Sequence, residues 1–297
     1  MMSTASHVIS RVSYGVILAV LLAIAAGSVF PILHILAVSL SDKAAASAGK
    51  IFLLPVDMNF AAYSIVFDDR QFFQSFAVSV ERVLLGGWVN FAITLLMAYP
   101  LSREKEAFSA RNVYMWFIIF TMLFSGGLIP WYMAIKQFGM INSIWALVLP
   151  TAVPVFNVIL LMNFFRNLPK ELDDAASIDG AGPWYSLMKL YIPLSLPAIA
   201  TVTLFSIVSH WNAFFDGLIL INVPHKQPLQ TYLNQIVVQM NVNRSQMTEE
   251  DVKRLALLSD KTVNSAKIFI ALFPIAALYP FLQRYFIHGI TLGSVKE

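Results

Sequence analysis

Five stretches of this chain contain no Asp, Glu, Lys or Arg: between Arg11 and Asp42, Arg82 and Arg103, Arg111 and Lys136, Lys136 and Arg166, and Lys189 and Asp216. Each can hold the roughly 20 apolar residues that cross the hydrocarbon of a bilayer. A sixth candidate, from about Ser265 to Tyr285, is shorter between Lys267 and Arg284 and relies on both long side chains snorkelling to the interfaces. The composition agrees: 12% of residues are charged and 58% hydrophobic, whereas soluble domains carry about a quarter charged residues. A backbone in lipid must satisfy its own hydrogen bonds, and no alternating pattern of short strands marks a barrel. The expectation is an all-α integral membrane protein with six transmembrane helices.

The spans are placed at about Val12 to Leu40, Phe76 to Leu101, Val113 to Ile135, Ser143 to Phe165, Leu190 to Ile221 and Ser265 to Tyr285. Small residues at Ala44, Ala46 and Ser47 resemble a signal-peptide cleavage site, but the first apolar run is about twice a signal h-region of 7 to 15 residues, so it is read as a retained anchor. Alternate connections share a side. The longer loops 41–75 and 222–264 fall opposite the set that holds both termini and the segment 167–190, and basic residues are only slightly denser in that second set. Pro31, Pro130, Pro150, Pro154, Pro193, Pro197, Pro274 and Pro280 lie in or at the ends of apolar runs, where each removes a helical hydrogen bond and can kink the helix. The absence of cysteine excludes disulfides, thiolate metal sites and cysteine nucleophiles. A dispersed net charge of +3 gives no nucleic-acid signal.

The segment 167–190 is polar and ordered by its own chemistry. Pro169 suits the first turn of a helix, and Glu171, Asp173 and Asp174 put negative charge at the positive end of its dipole. Ala175 and Ala176 leave a smooth face, and Gly180 can take the left-handed conformation that stops the helix. Gly182 and Pro183 then turn the chain into a second short helix, Trp184 to Leu190. Two short helices at an angle form a lever that fits a groove, although a capped interfacial hairpin without a partner would read the same way.

The spacing of this segment resembles the "EAA" loop of permeases from binding-protein-dependent ATP-binding cassette importers. Asp174, Ala175, Ala176, Gly180, Leu190, Ile192 and Pro193 occupy the motif positions, with Asp174 in place of Glu. SGGLIP from Ser125, NSIWALVLP from Asn142, WNAFFDG from Trp211 and YPFLQRYFIHG from Tyr279 are similar to the sugar-importer branch that includes the maltose permeases. Within it the chain looks most like oligosaccharide and polysaccharide permeases, the bacterial alginate importers among them. The likeness covers about 72–293. It implies a single transmembrane domain over 1–297, external loops at 41–75 and 222–264, and a cytoplasmic coupling loop at 167–190. It further implies a plasma-membrane location in a bacterium with both termini cytoplasmic.

The resemblance also implies partners: a homologous permease chain, an ATPase dimer that carries the ATP and magnesium, and an external substrate-binding protein that delivers a saccharide. Glu171, Asp174, Ala175, Ala176, Asp179, Gly180 and Pro193 would dock the ATPase, with no catalytic or metal site and no cofactor on this chain. No phosphate loop of the G-x-x-x-x-G-K-[ST] type occurs in the sequence.

Polar residues within spans are costly unless they face protein or a water-filled path. Glu81 and Arg82 fall in the outer part of span two, and His210, Trp211, Asn212 and Phe215 in span five, with Asp216 near its end. Trp211 and Phe215 at i and i+4 would share a face on one helix, giving sugar rings a stacking surface beside amide donors. The competing readings are an aromatic interfacial belt and helix–helix hydrogen bonding. Two other functions stay open: a magnesium-dependent prenyl-diphosphate enzyme using Asp173, Asp174 and Asp179, and an ion-coupled carrier. Thr248 with Glu249, Glu250 and Asp251, followed by Val252, Leu255 and Leu258 at helical spacing, predicts an external amphipathic helix.

Overall fold

The computed structural model describes residues 2–169, 171–178, 180–239 and 261–294. Among these, every regular element is helical. The helix expected over Met247 to Asp260 lies outside the described residues. Three helices are long and apolar enough to span a membrane by themselves: α1 (Met2–Ser39), α4 (Arg70–Ser102) and the apolar first half, Lys261–Leu278, of the last helix (Lys261–Ser294). Three bent pairs pass the same test when each is taken as one span, giving up to six. The third span is the first departure from a straight rod. α5 (Arg111–Leu123) and α6 (Leu128–Gln137) meet at 113°. Gly127 takes φ +87° at the corner, with its N–H on Ser125 Oγ at 3.3 Å. A run of Ser-Gly-Gly supplies the conformational freedom that a helix interior would exclude.

The fourth span bends by 44° between Ile144–Thr151, which opens as α7 (Ile144–Val148), and α8 (Val155–Arg166). The fifth is a bent pair as well. A helical segment, Pro183–Leu194, meets α12 (Leu196–Asn212) at 85°. Some of the prolines expected to kink helices instead begin them. Pro150 and Pro197 sit in first turns and Pro154 is an N-cap, whereas Pro193 directly follows helical turns and Pro31, Pro274 and Pro280 lie inside helices. In a first turn the missing N–H has no intrahelical acceptor to lose.

The chain forms two compact units, residues 1–70 with 236–273 and residues 71–235 with 274–297. In the first unit the segment after α1 folds back on that helix's end. Ser41 Oγ accepts from Val56 N at 3.0 Å, Asn59 N donates to Leu40 O at 2.9 Å, and Asp42 caps the short α2 (Lys43–Ser47) through Ala44 N at 2.8 Å. α3 (Ala61–Asp68) ends beside Asp69, which pairs with Lys267 Nζ at 2.6 Å. Lys267 therefore does not snorkel: its side chain is 4% exposed and its charge is met inside the protein.

The second unit packs α4, α5, α8 and α12 around Leu95, Ala98, Ile118, Leu161, Phe165 and Val202. Lipid tails are as apolar as these side chains, so close packing and interhelical hydrogen bonds hold such a bundle together. Asn157 Nδ2 donates to Ser206 Oγ and Val202 O, both at 3.1 Å. A Cβ on Gly86 would stand 2.5 Å from the His210 ring, so only glycine lets α4 approach α12 at that level. With its amide oriented to satisfy them, Asn90 donates to Thr151 O and Gly86 O and accepts from His210 Nε2. α13 (Phe215–Leu220) and α14 (Leu229–Gln239) complete the labelled helices up to residue 239. Gly217 lies against Thr231, whose hydroxyl donates to Phe214 O at 2.9 Å.

Candidate functional site

The polar segment after α8 forms the helix pair its sequence predicts. α9 (Glu171–Ile178) carries Glu171, Asp173 and Asp174 in its first turn. It stops at Gly180, which takes φ +71°, and Ala181 N donates back to Ala176 O at 2.9 Å. That long return bond is the Schellman stop that a left-handed residue permits. Gly182 caps the next helix, α10 (Pro183–Ser186), with Pro183 at its first position. The turns then widen into a π-helical stretch, Leu187–Tyr191, before α11 (Ile192–Leu194). A wide turn relieves the clash that Pro193 would make with the carbonyl four residues back.

The residues expected to dock a partner separate into two groups. Glu171, Asp174, Ala175 and Gly180 are exposed, as is Pro193 at the approach to the 85° bend. Ala176, in contrast, is 8% exposed and faces a cleft of about 480 Å³ shared with Leu172, Tyr185 and Leu190, so its small size serves the loop's own packing. Asp179 lies outside the described residues. Beyond the motif positions, Ile178, Trp184, Tyr185 and Met188 are exposed by 86%, 65%, 58% and 51%. Sequence reasoning assigned none of these four a role. The signal was present, as large apolar residues in a segment whose charges place it outside lipid.

Asp173 is held from within the chain. Arg103 Nη1 pairs with its Oδ1 at 2.8 Å, and Tyr191 Oη donates to its Oδ2 at 2.6 Å. The Arg103 guanidinium lies 4.4 Å from the Tyr99 ring centroid and 4.3 Å from that of Tyr191. Burial disfavours the charge on Arg103, but the hydrogen bond to Asp173 and the neighbouring Tyr191 and Tyr99 outweigh it and hold the guanidinium above its ordinary pKa. Arg111 Nη1 donates to Arg103 O at 2.8 Å and Arg166 Nη2 to Leu101 O at 2.9 Å, placing positive charge at the carboxyl end of α4.

In span five the structure divides the four residues expected to share a sugar-contacting face. α12 ends at Asn212 and a new helix starts at Phe215, so Trp211 and Phe215 do not lie one turn apart on one helix. Trp211 is 4% exposed and meets Phe76 edge-on at 5.6 Å, and His210 is buried against Gly86 and Asn90. Asn212 and Phe215 do come together, with Phe214 and Asp216, on a cavity of about 790 Å³ whose other wall is the Ser125–Leu128 corner and Trp131. Glu81 is exposed. Arg82 is 1% exposed and forms a two-pronged ion pair with Asp216, Nη1 to Oδ1 at 3.1 Å and Nη2 to Oδ2 closer still. Its Nη2 also donates to Leu147 O at 3.3 Å. A buried arginine answered in this way ties the fourth and fifth spans to α4 and leaves no uncompensated charge.

A family model described as "Binding-protein-dependent transport system inner membrane component" matches residues 81–292. The polygalacturonan/rhamnogalacturonan transport system permease protein YtcP of Bacillus subtilis is 38% identical over 90% of this chain and 92% of its own length. The protein LplC of the same organism is 39% identical over 91% of this chain and 90% of its own. Among solved structures, one chain of a bacterial ABC transporter involved in import of the acidic polysaccharide alginate superposes with a TM-score of 0.82 at 35% identity. That match covers 93% of this chain and 98% of the other.

Proposed function

This chain belongs to the family of binding-protein-dependent transport system inner membrane components, and on that premise we propose that it is a permease subunit of an ATP-driven saccharide importer in a bacterial inner membrane. The family and the relatives whose names state a role are transport components rather than enzymes, so the prenyl-diphosphate enzyme gains no support from them, and neither does the ion-coupled carrier. The family implies a second permease chain, an ATPase and a substrate-binding protein. The ATPase engages the segment 167–190 from the cytoplasm, which puts both termini on that side and the loops 41–75 and 222–264 outside. ATP and magnesium belong to that separate chain.

The observation that carries the docking reading is the exposed apolar set Ile178, Trp184, Tyr185 and Met188 on a short, internally braced helix pair. Exposed apolar patches on a polar segment mark protein contacts. Glu171 and Asp174 add exposed negative charge beside them. Binding and hydrolysis of ATP would move this pair as a lever and swing the spans on either side of it.

The substrate is an oligosaccharide or polysaccharide, and the acidic class is favoured by the names of the polygalacturonan permease and the alginate transporter. On this chain the contact surface is the cavity wall of Trp131, Phe214 and Phe215 with the Asn212 amide. No described residue that lines the cavity is basic. This wall therefore contributes stacking and hydrogen bonds, and the acid groups of such a substrate are met elsewhere in the assembly. Purification of the tagged chain from gently solubilised membranes should bring down an ATPase and a second permease, identified by mass. A chain that purifies alone, with its own fold intact, would contradict the reading.

A further inference from the structure

The reading above sends the movement of the lever into the fourth and fifth spans, between which it lies in sequence. We infer that Arg103 is a positioning residue that fastens the same lever to α4, so that ATPase movement also drives the second span. This rests on the docking role proposed for 167–190, and adds an output that the sequence order does not indicate.

Three segments meet at this one side chain, and a fourth packs behind it. Tyr99 lies in the last turns of α4 and Arg103 directly follows that helix, Asp173 belongs to α9, and Tyr191 to the π-helical stretch that precedes the bend, while Phe165 from the end of α8 packs edge-on against Tyr191 at 5.3 Å. The guanidinium lies over both tyrosine rings, at 4.4 Å and 4.3 Å. Those rings are themselves edge-to-face at 5.2 Å. Asp173 is held through both carboxylate oxygens, one by Arg103 and the other by Tyr191. Among the described residues the buried Nε and Nη2 of Arg103 find no acceptor, and the aromatic faces stand in for water around much of the charge.

Such a contact resists sliding. A cation that lies over two rings set nearly perpendicular to each other keeps both contacts only if both rings move with it, and the ion pair to Asp173 adds a third point of attachment. Lysine would keep the charge and lose the planar fit. The second span has a reason to be driven. α4 carries Arg82, Gly86 and Asn90, the residues that engage Asp216, His210 and Thr151 farther along the bundle. Force entering at Arg103 therefore reaches the ion pair beside the cavity along one continuous helix.

The chain has no cysteine, so spin labels can be placed on it at chosen positions without background from this chain, the partner chains being used in cysteine-free form. In the complete permease–ATPase complex, one label replaces Trp88 on α4 or Lys189 on the lever, and a reference label replaces Phe138. Distances are compared before and after trapping with MgATP and vanadate. In the parent complex both pairs should shift. In Arg103→Met the Lys189 pair should still shift and ATP hydrolysis should stay within about twofold, while the shift of the Trp88 pair falls by more than half. Arg103→Lys and Tyr191→Phe preserve bulk and should each give a partial loss. A full Trp88 shift in all three variants would overturn the inference, and so would equal loss at both positions in the Lys and Phe variants. If Arg103→Met does not assemble, the other two decide. No shift of Lys189 in the parent complex would instead refute the docking role itself.

Discussion

Trp211 and Phe215 show how far a single residue's role depends on a helix end. Read as one continuous helix they share a face, and their aromatic rings together make a plausible sugar platform. The chain breaks after Asn212, which turns Trp211 inward onto Phe76 and Phe215 outward onto the cavity. The break has no proline or glycine to announce it; the bundle supplies it, through the packing of Gly217 on Thr231 and the capture of Phe214 O by the same threonine. The two substitutions should therefore separate. Trp211→Ala removes a buried aromatic, a loss of about 3 to 5 kcal/mol in a well-packed core, and should lower the thermal unfolding temperature in detergent while transport per assembled complex changes little. Phe215→Ala should leave unfolding within a degree or two and reduce saccharide uptake several-fold. Uptake in proteoliposomes and unfolding followed by fluorescence distinguish these outcomes, and the reverse pattern would restore Trp211 to the path.

Among the elements, the helix pair at 167–190 was the most legible, because its instructions are local. Acids at the start of α9, glycine at its stop and Gly-Pro at the next start act through backbone chemistry that sequence states directly. What sequence could not show is which side chains the pair grips. Two spans separate Arg103 from Asp173 in the chain, and Lys267 lies far from Asp69, so both pairings depend on how helices pack. The bends are a middle case: Ser125–Gly127 signals a corner, but its 113° angle does not follow from composition. At Gly180 a local rule makes a firm prediction. Nothing lies within 4 Å of a Cβ built there, so a substitution meets no clash and feels only the φ of +71°. Gly180→Val should cost about 1 to 2 kcal/mol in left-handed strain and tilt the pair, lowering ATPase association while membrane insertion stays normal. Gly180→Asn, which tolerates that conformation, should retain most of the association. Equal behaviour of the two variants in a pull-down would show that the stop's geometry is unimportant.

At the scale of the whole molecule, six candidate spans and one internally braced polar helix pair divide the work of a permease subunit between lipid, cavity and partner. The apolar runs made the membrane class readable because hydrocarbon leaves few alternatives for a backbone. Charge density left the orientation open, and the account rests it on the docking of 167–190 from the cytoplasm. The absence of cysteine permits a direct test of that claim. Tyr185→Cys, exposed by 58% in the parent, is introduced singly and the chain is co-expressed with its ATPase. In intact cells the thiol should be inaccessible to a membrane-impermeant maleimide, and in inverted vesicles it should become accessible. Photo-crosslinking through a probe on that cysteine should give one adduct that contains the ATPase, reduced when the ATPase is stripped from the membrane. Labelling of intact cells from outside, or an adduct set without the ATPase, would contradict the account.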